Sequence, residues 1–241
     1  MPVKVVIFDV YNTLFRNDTS SWMGTFRDIC RTQELPVSPE ELWTCWKPIE
    51  VRFRQSRTNM EQPEKSPPFK TYQAAWREAF LEAFQRLGIR GDADQAAQMS
   101  VDSLSTRPPY DDTLPALEYI ALRWKRALLT NADNGSILPL LQRNRLSFDT
   151  VLTSEMLRAY KPDPRAFRSI LEKSGISAEN ALYVGDTLFD DVHGAKLAGM
   201  SVVWINRNGA DPDHNLLPPD YQIAELGQLI DILHSLDEVS P

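Results

Sequence analysis

Sulfur and imidazole ligands are scarce in this chain of 241 residues, which has two cysteines and three histidines. Cys30 and Cys45 form no CxxC pair, so neither a zinc site nor a disulfide framework is expected, and both read as small buried hydrophobes. No apolar run reaches the roughly 18 residues that a membrane-spanning helix needs. Met1-Pro2-Val3-Lys4 leads straight into an apolar segment without the charged and hydrophobic regions of a secretory signal, so a soluble, cytoplasmic protein is expected. Positive charge is also short. Lys and Arg number 26 against 33 Asp and Glu, for a net charge of −7, and the basic residues are scattered. That balance argues against nucleic acid or an anionic membrane as a partner. An acidic chain that binds an anion must therefore supply positive charge locally.

What the chain does have is a series of apolar runs that end on polar side chains. Val5-Val6-Ile7-Phe8 closes on Asp9, four residues before Thr13. Such a run reads as a strand buried on both faces at the centre of a parallel sheet, with Asp9 at the carboxyl end, where open α/β sheets bind ligands. Taken alone, Asp9 reads equally well as a turn cap. Three further segments favour chemistry. Lys125–Leu129 leads into Thr130-Asn131, and Tyr160-Lys161-Pro162-Asp163-Pro164 sets a Lys before prolines that delay the next helix to about Pro164. Ala181–Val184 ends on Gly185-Asp186, with Asp190 and Asp191 following. Together they point to one site.

In order, DVYNT, LTNAD, YKPDP and VGDTLFDD resemble the motifs of the haloacid dehalogenase superfamily of hydrolases. The resemblance covers about 3–15 and 108–207 as a core and the stretch between them as a helical insert. It implies an α/β fold: a Rossmann-like parallel sheet core at 1–15 and 108–241, with an inserted all-helical cap domain at 16–107. It implies that Asp9 attacks phosphorus or carbon as a nucleophile, splitting one displacement into two easier steps. For a phosphate ester it implies Mg²⁺ held by Asp9, Asp186 and the backbone carbonyl of Tyr11, in keeping with the one or two carboxylates that Mg²⁺ usually takes. Thr130, Asn131 and Lys161 would help offset the charge of the transferring group. Of Asp190 and Asp191, one would hold metal-bound waters or orient Lys161, and the other would be an acidic residue favoured by a helix dipole.

Tyr11 departs from the phosphatase pattern, in which the second residue after the nucleophile is usually an Asp that protonates the leaving alcohol. A phenol with a pKa of ~10 is a poor general base at neutral pH. The superfamily's metal-free dehalogenases carry Tyr there, in D-x-Y-G-T, with Asn12 here in place of the Gly. Against that, dehalogenases end their last motif on a Ser-Ser-Asn type sequence, whereas Asp186 is kept here, and paired buried carboxylates demand a cation or a proton. A Mg²⁺-dependent phosphatase acting on a small phosphorylated metabolite is therefore preferred over a 2-haloacid dehalogenase, with a weakly active binding or regulatory protein as a third reading. The substrate is a small molecule, and the protein is expected to be a monomer or homodimer.

Between the first motif and residue 108 the pattern turns helical. Trp22, Phe26 and Ile29, then Leu42, Trp46, Ile49 and Phe53, then Tyr72, Trp76, Phe80 and Phe84 recur near the helical period and read as faces of a small bundle. Gln62–Pro68 reads as a loop, Thr113–Leu122 and Leu226–Leu233 as helices, Ser201–Ile205 as a strand and Pro212–Pro219 as a loop. Lys47, Arg52, Arg54 and Arg57 are the insert's basic candidates for substrate contact.

Overall fold

The computed structural model describes residues 2–238, which divide into two compact units: the described residues of 1–16, 108–131 and 147–241 in one, 17–107 and 132–146 in the other.

The first unit is built on a six-stranded, all-parallel sheet in the order β3-β2-β1-β4-β5-β6. The strands are β1 (Val5–Phe8), β2 (Lys125–Thr130), β3 (Thr150–Thr153), β4 (Ala181–Gly185), β5 (Ser201–Ile205) and β6 (Tyr221–Ile223). β1 and β4 are buried throughout, as strands covered on both faces must be, and their apolar runs follow from that. Helices α5 (Thr113–Ile120), α7 (Ser154–Leu157), α8 (Pro164–Ser174), α9 (Gly194–Leu197) and α10 (Gly227–Glu238) complete the unit. Pro164 opens α8, where a missing N–H costs nothing, and Asp163 caps it by accepting from Arg165 N. Phe167, Ile170, Tyr183, Val202 and Trp204 pack into a single core. The chain leaves β1 towards β2 on one side and reaches β4 on the other, so the strand order reverses between β1 and β4. Open sheets of this kind bind ligands at that point, beyond the carboxyl ends.

The second unit is helical: α1 (Thr19–Thr32), α2 (Pro39–Ser56), α3 (Tyr72–Leu87), α4 (Ala93–Leu104) and α6 (Asn134–Arg143). Ser38 and Glu41 form a reciprocal cap at the start of α2. The aromatic stripes of α1, α2 and α3 meet, with Trp22 edge-on to Trp76 at 5.3 Å and Trp46 stacked on Phe80 at 5.4 Å. The expected loop at 62–68 contains one tight turn at Pro63–Lys65. Residues 132–146, assigned to the core from sequence, cluster instead with the helical unit. The reason is local: α6 packs on α4, and the buried carboxylate of Asp133 accepts from Tyr72 N (2.8 Å) and Gln73 N (2.7 Å), capping α3. Among the described residues no helix is long and apolar enough to cross a membrane.

Candidate active site

Parallel pairing brings the acids together. Phe8 pairs with Val184 and with Leu128, so Asp9 and Gly185 emerge side by side at the sheet's carboxyl edge, with Thr130 at the same edge. Asp9 N donates to Val184 O at 2.9 Å, extending the ladder by one residue. The chain then turns tightly: Leu14 N and Phe15 N both donate to Val10 O, and Asn12 N donates to Phe15 O. Asn12 has φ of +62°, a left-handed conformation that Gly or Asn adopts most readily, so replacing the motif's Gly by Asn keeps the turn.

Lys161 is almost fully buried, and its ammonium donates to Asp9 Oδ1 (2.6 Å), Asp191 Oδ1 (2.5 Å) and the Tyr183 hydroxyl (2.9 Å). Three bonds match the three donors an ammonium has. The Tyr183 hydroxyl in turn donates to Asp191 Oδ1 at 2.8 Å, and Thr187 N donates to Asp191 Oδ2 at 3.0 Å. Asn131 accepts from Lys161 N (2.8 Å) and donates to Lys161 O (3.0 Å), fixing the backbone that carries the lysine. The Asn131 amide also reaches Asp190 Oδ2 at 3.3 Å. The two candidate acids therefore part: Asp191 is buried against Lys161, whereas Asp190 is half-buried beside Asn131. A π-helical turn at Leu188–His193 produces this split, its wider winding aiming Asp191 back at the strand ends. Gly185 permits the approach, since a Cβ there would lie 2.4 Å from Asp191 Cγ.

The electrostatics are those of crowded acids in a dry place. Burial pushes Asp9 up to about 6, with Lys161 opposing and Asp191 adding to the rise. Burial, with Asp191 and Asp9, also holds Asp186 well above the usual carboxylate range. For Lys161, burial pulls down, but Asp191 and Asp9 together carry it well above its ordinary value. Carboxylate oxygens of Asp9, Asp186 and Asp191 lie within 4.8 Å of one another. Among the described residues Lys161 is the only cation bonded to this trio, and Asp186 has no ion-pair partner. With all three carboxylates ionised, one ammonium would leave an excess of two negative charges, and the raised values of Asp9 and Asp186 reflect the cost of that excess when only protons can offset it. A hard divalent cation with oxygen ligands fits that donor set and that deficit.

Tyr183 was not singled out in the sequence, because a Tyr inside an apolar strand reads as core. Lys47 and Arg54 pair with Glu50, Arg52 pairs with Glu82, and Arg57 is buried with a hydrogen bond to the Tyr72 hydroxyl. Cys30 is buried, Cys45 half-buried, and both are free thiols.

A family model described as haloacid dehalogenase-like hydrolase matches residues 3–199. The chain belongs to that family. Haloacetate dehalogenase H-2 of Moraxella sp. is 26% identical over 96% of this chain and 98% of its own length. A Mycobacterium tuberculosis phosphatase, MT3486, is 28% identical over 96% of this chain and 98% of its own. The Bacillus subtilis hydrolase YfnB, in a crystal form bound to magnesium, superposes with a TM-score of 0.79 at 21% identity, covering 97% of this chain and 99% of that one. Relatives of both reaction types thus span this haloacid dehalogenase-like hydrolase from end to end, and the protein is a hydrolase of that family.

Proposed function

We propose that the protein is a Mg²⁺-dependent phosphatase that hydrolyses a small phosphorylated metabolite through an aspartyl-phosphate on Asp9. The observation that carries this reading is the crowding of acids: Asp186 stands within 4.8 Å of Asp9 and Asp191, and among the described residues Lys161, paired with Asp9 and Asp191, is the only cation bonded to the three. A dehalogenase attacking a neutral carbon has no use for that third carboxylate, which is half-buried and costly to keep ionised beside two buried acids without a counterion. Asp9, Asp186 and the Tyr11 carbonyl would hold the cation, which would neutralise charge on the transferring phosphoryl group. Lys161 holds Asp9 at Oδ1 and favours its ionised form. Asp9 attacks phosphorus, the ester oxygen leaves, and water then cleaves the aspartyl-phosphate. Thr130 stands at the same strand edge and is assigned a phosphoryl contact. In this reading Asp191 sets Lys161, Asp190 sets Asn131, and the helical unit takes the part of the family's cap.

A second reading rests on Tyr11. Asp attack on a carbon–halogen bond expels halide without a proton, so the missing acid at that position would not matter. A screen of phosphate esters and 2-haloacids, each with Mg²⁺ and with EDTA, separates the two. The expected result is ester hydrolysis that EDTA abolishes, with aryl phosphates such as nitrophenyl phosphate favoured over alkyl phosphates. Tyr11→Asp should narrow that preference by restoring general acid catalysis, an effect of roughly 10²–10⁴-fold. Full halide release in metal-free protein would overturn the phosphatase reading in favour of the dehalogenase.

A further inference from the structure

The loop that carries Asp9 and Tyr11 is braced from a part of the sheet that places no side chain in the acidic cluster. Arg207, just past β5, donates from Nη2 to Thr13 O at 2.9 Å. Its guanidinium is fixed in turn by two parallel bonds to Asp112, Nη1 to Oδ2 at 2.9 Å and Nη2 to Oδ1 at 3.0 Å, the fork geometry that gives Arg–carboxylate pairs their directionality. It also lies over the Tyr110 ring, 3.8 Å from the centroid. Asp112 is anchored as well, Oδ2 accepting from Leu226 N at 2.7 Å. The side chains of Arg207 and Asp112 are only 11% and 18% exposed, so solvent screens the pair little.

Thr13 depends on this contact. It is fully buried, and its hydroxyl has no hydrogen-bond partner among the described residues, so the carbonyl is where the surroundings grip it. The next carbonyl, Leu14 O, is held by Tyr110 N at 3.0 Å and Thr113 Oγ1 at 2.7 Å. The tight turn from Val10 to Phe15 is thus pinned at its far end, while its near end is the ladder bond of Asp9. β5 does the same for the other acidic loop, Trp204 Nε1 donating to Asp186 O at 2.9 Å.

We propose that Arg207 is a positioning residue for the nucleophile loop, holding Thr13 through the Asp112-locked guanidinium so that Asp9 and Tyr11 keep the geometry that turnover requires. A displacement of about 1 Å at a reacting group can cost 10²-fold in rate, so a brace two residues beyond Tyr11 matters to kcat although it touches no reacting atom. This inference rests on the proposed function for its kinetic reading only.

The test compares the parent with Arg207→Ala and Arg207→Lys on nitrophenyl phosphate with saturating Mg²⁺. Arg207→Ala is expected to lower kcat by about 10–100-fold with KM within about twofold, and millimolar guanidinium should restore part of kcat by refilling the site between Asp112 and Thr13. Arg207→Lys, which keeps the charge but loses the fork, should fall between the two. Amide hydrogen exchange supplies a readout independent of turnover: Leu14 and Phe15 should exchange at least about tenfold faster in Arg207→Ala while the β1 amides keep their protection. Unchanged exchange at Leu14 and Phe15 would overturn the proposal, as would a kcat equal to the parent's or a loss that guanidinium does not touch. If the parent hydrolyses no ester, the phosphatase reading fails, and the exchange measurement still decides the brace.

Discussion

Lys161→Met removes the ammonium that Asp9 and Asp191 share while keeping most of its volume. Even with Lys161 in place, burial lifts Asp9 from its ordinary 3.8 to about 6, a displacement worth about 3 kcal/mol. The folded protein binds that proton more tightly than the unfolded chain does. Asp9 therefore subtracts nothing from stability below about pH 3.8, and its penalty grows as pH rises to about 6 and is constant above. Lys161 is the main influence holding Asp9 down, so in the variant the upper end of this window moves to higher pH while its lower end stays at the unfolded value. The carboxylates within 4.8 Å of one another then face each other without a counter-charge. Breaking a buried ion pair by removing one partner costs about 3–5 kcal/mol, and that is the loss expected near pH 8 in EDTA. Near pH 5 the loss should shrink as the acids take up protons. Mg²⁺ at about 100 times its Kd should return about 2.7 kcal/mol to whichever form binds it. Urea unfolding at pH 5 and pH 8, with EDTA and with Mg²⁺, measures all of this. A Lys161→Met protein as stable as the parent at pH 8, or one whose loss is the same at both pH values, would refute the electrostatic account of the site.

Two further outcomes follow from the same geometry. Asp9→Asn should keep the fold and the affinity for substrate while losing nearly all turnover, because a neutral carboxamide lacks the anionic oxygen that forms the covalent intermediate; comparable rates in mutant and parent would mean that water attacks directly. Mg²⁺ binding should release protons and tighten as pH rises through about 6, since Asp9 titrates near there and Asp186 is also raised, and Asp186→Ala should abolish it; calorimetry in buffers of different ionisation enthalpy reads both, and pH-independent binding would contradict the reading.

The sheet's centre was legible because burial on both faces leaves a plain mark. Val5–Phe8 and Ala181–Gly185 are apolar without interruption, and each is followed by a carboxylate whose only sensible place is the strand end. The three aromatic stripes marked α1, α2 and α3 for the same reason, and Pro164 marked the start of α8 through its missing N–H. Other elements carried weaker marks. α4 buries Ala93, Ala96, Ala97 and Ser100, too small to show as a stripe, α6 contains Pro139, and β6 has only three residues.

Residue types and order alone pointed to Asp9, Thr130, Lys161 and Asp186 as strand-end neighbours, because chemistry of this kind sits at strand ends and strand ends can be counted; the fold brings Asp9, Lys161 and Asp186 together. Which of two adjacent acids serves Lys161 was decided by a π-helical turn, which shifts the facing by a fraction of a turn that no one-dimensional spacing displays. Tyr183 and Arg207 were likewise placed by tertiary structure alone. One reads as core and the other as surface until parallel pairing sets the Tyr183 hydroxyl against Lys161, and until Asp112, 95 positions away in sequence, turns the guanidinium onto Thr13. Local sequence encodes what a segment is; only the folded chain, through contacts between segments far apart, encodes what it faces.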